Sequence, residues 1–186
     1  MDEIKKLYNL MKLKEVERRG RVGSRQESSA EHTYGCLILA EYFLPKINQK
    51  LDSLKVLRML TYHDVVDIEA GDTFLLDEKN RKTQPQREAA AANILTAKIP
   101  KEISTEFKKL WDEFNQRKTP EAKFCQAIDK IEPVLHSLFD KEAWIINNFT
   151  EKKLRDKKEG YFLQFQPIMD FFNALVRYMA GNKYFG

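Results

Sequence analysis

Cysteine is scarce in this 186-residue chain: Cys36 and Cys125 are the only two, too few for a disulfide framework. Both lie in apolar helical patterns and read as buried thiols of a reducing compartment. Glycine and proline number only 7 and 6, which argues against a fold of many short strands and tight turns. Long apolar runs are missing as well. The stretch GCLILAEYFL, 35 to 44, is broken by Glu41 and falls well short of the ~20 residues that span a bilayer. The first 21 residues have no apolar core and no small-residue cleavage site, so they do not read as a secretory signal. A protein of the cytoplasm, away from membranes, is expected. Nor is there an excess of one charge. Lys and Arg number 32 against 28 Asp and Glu, for a net +4, and the signs are intermixed. That describes a solvated surface, not a nucleic-acid footprint.

What is present is a globular composition, 42% hydrophobic and 32% charged, of a length that fits one domain over 1–186. The patterning is helical throughout. Ile4, Leu7, Tyr8, Met11 and Val16 recur at helical spacing over 3 to 19. The stretch 18 to 29, RRGRVGSRQESS, reads as a basic loop. Ser28-Ser29-Ala30-Glu31 is a capping box that opens a helix running to about 44. Asp52 can cap a third helix that ends near His63-Asp64. Residues 67 to 85 read as a long polar loop, of the kind that is functional when it occurs inside a compact domain. Helices are expected over 86 to 98 and 101 to 117. Thr119-Pro120 is a strong start signal for another, which contains Pro133. Two more are expected over 141 to 158 and 164 to 180. An all-α fold follows.

Histidine is scarce too, with only His32, His63 and His136. His32 lies in the first turn of one expected helix, and His63-Asp64 closes the next. Asp129 sits among Ala127, Ile128 and Ile131 on a later one. A carboxylate in such surroundings costs several kcal/mol unless it is paired or bound to a metal. Two imidazoles and two carboxylates make a credible ligand set for a first-row divalent ion. His136 reads as a neighbour of that set or a surface residue, and Trp111 and Trp144 as core or interface residues.

The order His32, His63-Asp64, Asp129 resembles that of the HD-domain metal-dependent phosphohydrolases. The segments ESSAEHTYGCLILAEYF (27 to 43), HDVVDIEAGDTFLLD (63 to 77), REAAAANIL (87 to 95) and FKKLWDEFNQRKTPEAKFCQAIDKIEPVL (107 to 135) extend the resemblance over about residues 5 to 140. They are similar to the small bacterial 5'-deoxynucleotidases, and residues 141 to 186 stand as accessory helices. The resemblance implies a single helical bundle around one divalent cation (Mn, Co, Mg, Fe, Ni or Zn) held by His32, His63, Asp64 and Asp129. It implies hydrolysis of the 5'-phosphate of nucleoside monophosphates by a metal-activated water, and a homodimer. Asp67 stands where relatives usually carry a catalytic Glu, and Glu69 where they often carry Asp, so the two acids look exchanged. Asp72 matches a substrate-pocket acid and Arg18 the phosphate-side arginine. Arg21 falls near a position that is often Trp. Arg25, Lys79 and Lys82 are weaker phosphate candidates. Other readings remain: a phosphodiesterase or a phosphohydrolase of another ester, an inactive metal-stabilised binding module, or a nucleic-acid binder.

Overall fold

Ten α-helices and one two-stranded hairpin make up the computed structural model, which describes residues 3–185. The helices that position the site begin on strong local signals. Helix α2 (Ser29–Phe43) opens on the expected capping box. The Ser28 hydroxyl accepts from the Glu31 amide at 3.3 Å, and the Glu31 carboxylate accepts from the Ser28 amide at 2.9 Å. This fixes His32 one turn into the helix. Helix α3 (Ser53–Tyr62) is capped by Asp52 and delivers His63 at its C-terminal end. Helix α7 (Pro120–His136) opens on Thr119 with proline in its first position and carries Asp129 and Pro133 inside it.

These three helices pack against one another and against α6 (Lys101–Gln116) and α10 (Gln166–Gly181). Cys36 and Phe43 from α2, Val56, Met59 and Leu60 from α3, and Phe124 and Ile128 from α7 fill the main core. Burying a large apolar side chain of this kind contributes about 2 kcal/mol, so the backbone that presents the site is held rigidly. A smaller core gathers Leu95 of α5 (Glu78–Lys98), Phe107 and Trp111 of α6, and Val65 and Val66. Trp144 is buried in the main core. No helix among the described residues is long and apolar enough to cross a membrane.

The expected helix over 3 to 19 stops early. Helix α1 is Glu3–Met11, a 3₁₀ turn follows, and the chain then becomes extended. The expected basic loop is a hairpin, β1 (Glu17–Val22) with antiparallel β2 (Arg25–Ser28), turning at Gly23, whose φ of 61° suits glycine. Its two-residue period turns Arg18 and Gly20 inward and leaves Arg19 and Arg21 outside. Arg21 and Arg25 therefore do not join Arg18: Arg25 pairs with Glu31 on the surface. The long loop is also shorter than expected. A one-turn helix α4 (Asp67–Ala70) follows α3, and α5 begins at Glu78, where Asp77 caps it. The single helix expected over 141 to 158 is two, α8 (Lys141–Ile146) and α9 (Glu151–Lys158).

Candidate metal centre

Four side chains from α2, α7 and the turn after α3 meet at one buried point. His32 Nε2 lies 3.4 Å from His63 Nε2, 3.3 Å from Asp129 Oδ1 and 3.7 Å from Asp64 Oδ2, and His63 Nε2 lies 3.3 Å from Asp64 Oδ1. The opposite ring nitrogens decide what this can hold. His63 Nδ1 donates to the Leu60 carbonyl at 2.6 Å, and His32 Nδ1 donates to Glu132 Oε2 at 2.6 Å. With those donors at Nδ1, the neutral rings turn both Nε2 lone pairs toward each other and toward two carboxylates. Where no cation stands between them, burial opposes a further proton on His32, but the hydrogen bond to Asp129 favours it, and that ring is raised well above its usual value. Such a set calls for a cation, and its mixture of imidazole and carboxylate suits a first-row divalent metal. Adjacent helical residues would diverge by about 100°. After Tyr62 the helical ladder gives way to tighter turns, with Val65 N–H bonding the Tyr62 carbonyl and Asp67 N–H the Asp64 carbonyl, and in this stretch His63 and Asp64 both reach the cluster.

The electrostatics follow from burial set against neighbours. Burial works against the Asp129 carboxylate, but Lys130 and His32 hold it well below the usual range. Burial likewise opposes ionisation of Asp64, and His63 and Arg18 hold it low. Asp67 is buried without such help. Desolvation first, then the charges of Asp64 and Asp72, push its carboxyl well above the usual value. A carboxyl raised in this way holds its proton more readily than a free one, which suits acid–base work. Its one hydrogen bond among the described residues comes from the Ser29 hydroxyl at 3.5 Å. Glu69, two residues on, turns away and pairs with Lys98 of α5 at 2.8 Å. The exchanged acids therefore part company, with Asp67 inside and Glu69 outside.

Arg18 reaches in from β1. Its Nη1 donates to Asp64 Oδ2 at 3.0 Å and to Asp72 Oδ1 at 3.1 Å, and its Nε faces Glu27 at 3.5 Å. Asp72 is partly buried, and desolvation raises its carboxyl. Beyond this arginine a cavity of about 290 Å³ opens between the hairpin and the start of α5, lined by Arg18, Arg19, Gln26, Asp72, Phe74 and Arg87 among others. The Arg87 guanidinium closes its far wall by donating to the Ala70 carbonyl and the Thr73 hydroxyl. Lys79 and Lys82 do not line it.

Several residues of the centre escaped the sequence reading. Glu132 supports His32 from behind. It lies three residues after Asp129 and so on the same face of α7. Glu27 stands beside it and faces His136 Nδ1 at 3.3 Å. His136 thus lies behind the cluster, away from the metal position. Cys36 Sγ lies 3.5 Å from His32 Nε2, and burial pushes its thiol up to about 12. Gly35 is needed where it stands, because a Cβ there would run into the Glu132 carboxylate.

The sequence profile of the HD domain matches residues 10–166, past residue 140 and into the segment beyond α9. The 5'-deoxynucleotidase HDDC2 of Xenopus laevis is 30% identical over 141 residues, covering 72% of this chain and 69% of that one. The protein of the same name from Bos taurus is 29% identical over 128 residues, covering 67% and 61%. Among solved structures, a predicted metal-dependent phosphohydrolase from Magnetospirillum magnetotacticum MS-1 superposes with a TM-score of 0.87 at 29% identity, over 98% of this chain and 93% of that one. An HD-domain phosphohydrolase from Listeria innocua shares the fold at a TM-score of 0.65 and 17% identity. With its two histidines and two aspartates converging from the helices where the HD order sets them, the chain belongs to the HD-domain family.

Proposed function

We propose that this protein is a metal-dependent phosphohydrolase that removes the 5'-phosphate of nucleoside monophosphates, deoxyribonucleotides among them. The observation that carries the reading is the pair of inward Nε2 lone pairs at 3.4 Å, flanked by Asp64 and Asp129 and opening past Arg18 toward a cavity of nucleoside size. The 5'-deoxynucleotidase relatives support the choice of substrate. His32, His63, Asp64 and Asp129 would hold one divalent cation. When bound, such an ion supplies Lewis-acid chemistry, polarising a phosphoryl oxygen and acidifying water.

The remaining work falls to the chain itself. Asp67 exchanges a proton at its carboxyl oxygen with the attacking water or the leaving 5'-oxygen, a role that its raised pKa favours. The Arg18 guanidinium, gripped by Glu27 from behind, orients the phosphate. Asp72 holds Arg18 in place and can accept from a sugar hydroxyl at the cavity entrance. The core packed around the cluster limits water to the cavity side. The same reading carries a homodimer, supported by the exposed apolar side chains of Leu7, Tyr8 and Met11 on α1.

The test is a matrix of divalent metals against 5'-monophosphates, cyclic nucleotides and linear dinucleotides. Release of phosphate from monophosphates alone is the expected result. Cleavage of the diesters, or no turnover of any monophosphate with Mn²⁺, Co²⁺ or Mg²⁺, overturns the proposal.

A further inference from the structure

Phe74 is an aromatic side chain that the fold does not use for packing. It belongs to neither hydrophobic core, although Leu75 and Leu76 beside it pack on the main one. It is half-buried and lines the cavity of about 290 Å³ beyond Arg18. The rest of that lining is charged or polar, so among the described residues Phe74 gives the cavity its one apolar face.

The segment that carries Phe74 is fixed on both sides. Before it, Arg87 of α5 donates to the Ala70 carbonyl at 2.9 Å and to the Thr73 hydroxyl at 2.7 Å. After it, the Asp77 amide donates to the Phe74 carbonyl at 3.0 Å, and the Asp77 side chain caps α5. The exposed Arg19 of β1 lines the same cavity, with its guanidinium over the Phe74 ring at 5.7 Å from the centre. Gln26 of β2, half-buried, lines it too and offers a carboxamide that can both donate and accept. The way in from the cluster is short. Arg18 Nη1 donates both to Asp64 and to Asp72, which stands two residues before Phe74. A monophosphate held at Arg18 therefore directs its nucleoside into this cavity, and an aromatic face with an arginine beside it suits a flat, π-rich base.

We propose that Phe74 is the platform of a nucleobase subsite: the base stacks on its ring, Arg19 swings outward to cover the opposite face, and Gln26 meets the edge of the base. The proposal rests on the phosphomonoesterase reading above and adds what separates a nucleotide from a bare sugar phosphate. Stacking accepts every base, so the subsite selects for the presence of a base rather than among bases.

The probes are deoxyadenosine 5'-monophosphate and 2-deoxyribose 5-phosphate, which lacks the base, compared by kcat/KM with the Mn²⁺-loaded protein. The wild type should prefer the nucleotide. Phe74→Ala should lose about 5- to 150-fold of that preference, as for loss of one base–aromatic stack, and lose it through KM rather than kcat. Phe74→Tyr keeps the ring and should keep the preference. Arg19→Ala, a change at an exposed position, should lose a smaller part and serves if Phe74→Ala folds poorly. A wild-type preference in both alanine variants refutes the proposal even where the melting temperature falls, because a clip between hairpin and loop would act on stability alone. Binding of deoxyadenosine, which has no phosphate, separates the two readings. If the wild type turns over no monophosphate yet binds deoxyadenosine, and Phe74→Ala does not, the substrate reading fails and the base subsite stands. If the wild type turns over the nucleotide and the bare sugar phosphate equally well, the phosphomonoesterase reading stands and the subsite falls.

Discussion

Replacing Glu132 tests whether the metal centre depends on the acid behind His32. Its Oε2 accepts from His32 Nδ1 at 2.6 Å, both groups are buried, and the two residues are 100 positions apart in sequence. Carboxylates that support a metal-bound histidine in this way typically contribute 10- to 100-fold to metal affinity, or about 1.4–2.7 kcal/mol. The bond itself gives a compatible figure, because a hydrogen bond to a charged group is worth about 1.5–3 kcal/mol. A second effect opposes the first in the folded protein. Burial, and then the charge of Glu132, pushes the neighbouring Glu27 carboxyl upward, so removing Glu132 relieves that repulsion. Glu132→Ala should therefore bind Mn²⁺ 10- to 100-fold more weakly while the metal-free protein melts close to the wild-type temperature. Glu132→Gln keeps an acceptor and should fall in between. Gly35→Ala reaches the same point without altering the acid. Alanine favours a helix over glycine by about 1 kcal/mol, yet its Cβ would collide with the Glu132 carboxylate. It should weaken metal binding even if the helix gains. The assay is calorimetric titration of chelator-stripped protein with Mn²⁺. Wild-type affinity in both Glu132→Ala and Gly35→Ala would refute the reasoning.

Asp67 and Arg18 give two further expectations. Burial raises the Asp67 carboxyl, so the native state holds a proton that the unfolded state loses near pH 4. Stability of the metal-free protein should then fall as pH climbs from about 4 toward the raised value. Asp67→Asn should flatten that slope, raise the neutral-pH melting temperature and abolish turnover; an unaltered slope in a series of melts across pH removes Asp67 from this account. Arg18→Met leaves Glu27, Asp64 and Asp72 without the cation they share. Breaking a buried pair costs about 3–5 kcal/mol, and the partial exposure here puts the loss at the lower end. A chemical denaturation midpoint equal to wild type would contradict it.

The convergence of His32, His63, Asp64 and Asp129 was legible because each of them is placed by a local signal. The capping box fixes His32 in its helix, the end of α3 releases His63 and Asp64, and Thr119-Pro120 sets the phase of α7. The hairpin was not legible. Its inward positions hold Arg18 and Gly20 rather than apolar residues, so the two-residue period carries no hydrophobic signal. The early start of α5 was hidden for a similar reason: its first turns, EKNRKTQP, are polar and contain Pro85. Glu132 did leave a trace. Asp129, Glu132 and His136 follow at i, i+3 and i+7, and His32 and Gly35 at i and i+3. That spacing sets an acid beside a glycine across two helices, but only once α2 and α7 are known to touch.

The charge of the whole chain concealed the charge of the site. A net +4 spread over intermixed signs suggests no preference for any ligand. Folding sorts those signs by contacts between distant residues: Arg18 meets Asp64 across 46 positions and Asp72 across 54, and Glu132 meets His32 across 100. Glu27, Asp64, Asp67, Asp72, Asp129 and Glu132 end up around one point, whereas Arg21 and Arg25, next to Arg18 in sequence, stay at the surface. So many acids in a desolvated space require a cation of more than one charge. The cations turned inward with them, Arg18 and Lys130, are fewer than the acids and are paired with them, which leaves charge for a divalent metal to answer. The preference for such a metal thus originates in the inward sorting of charges that the sequence shows only as mixed.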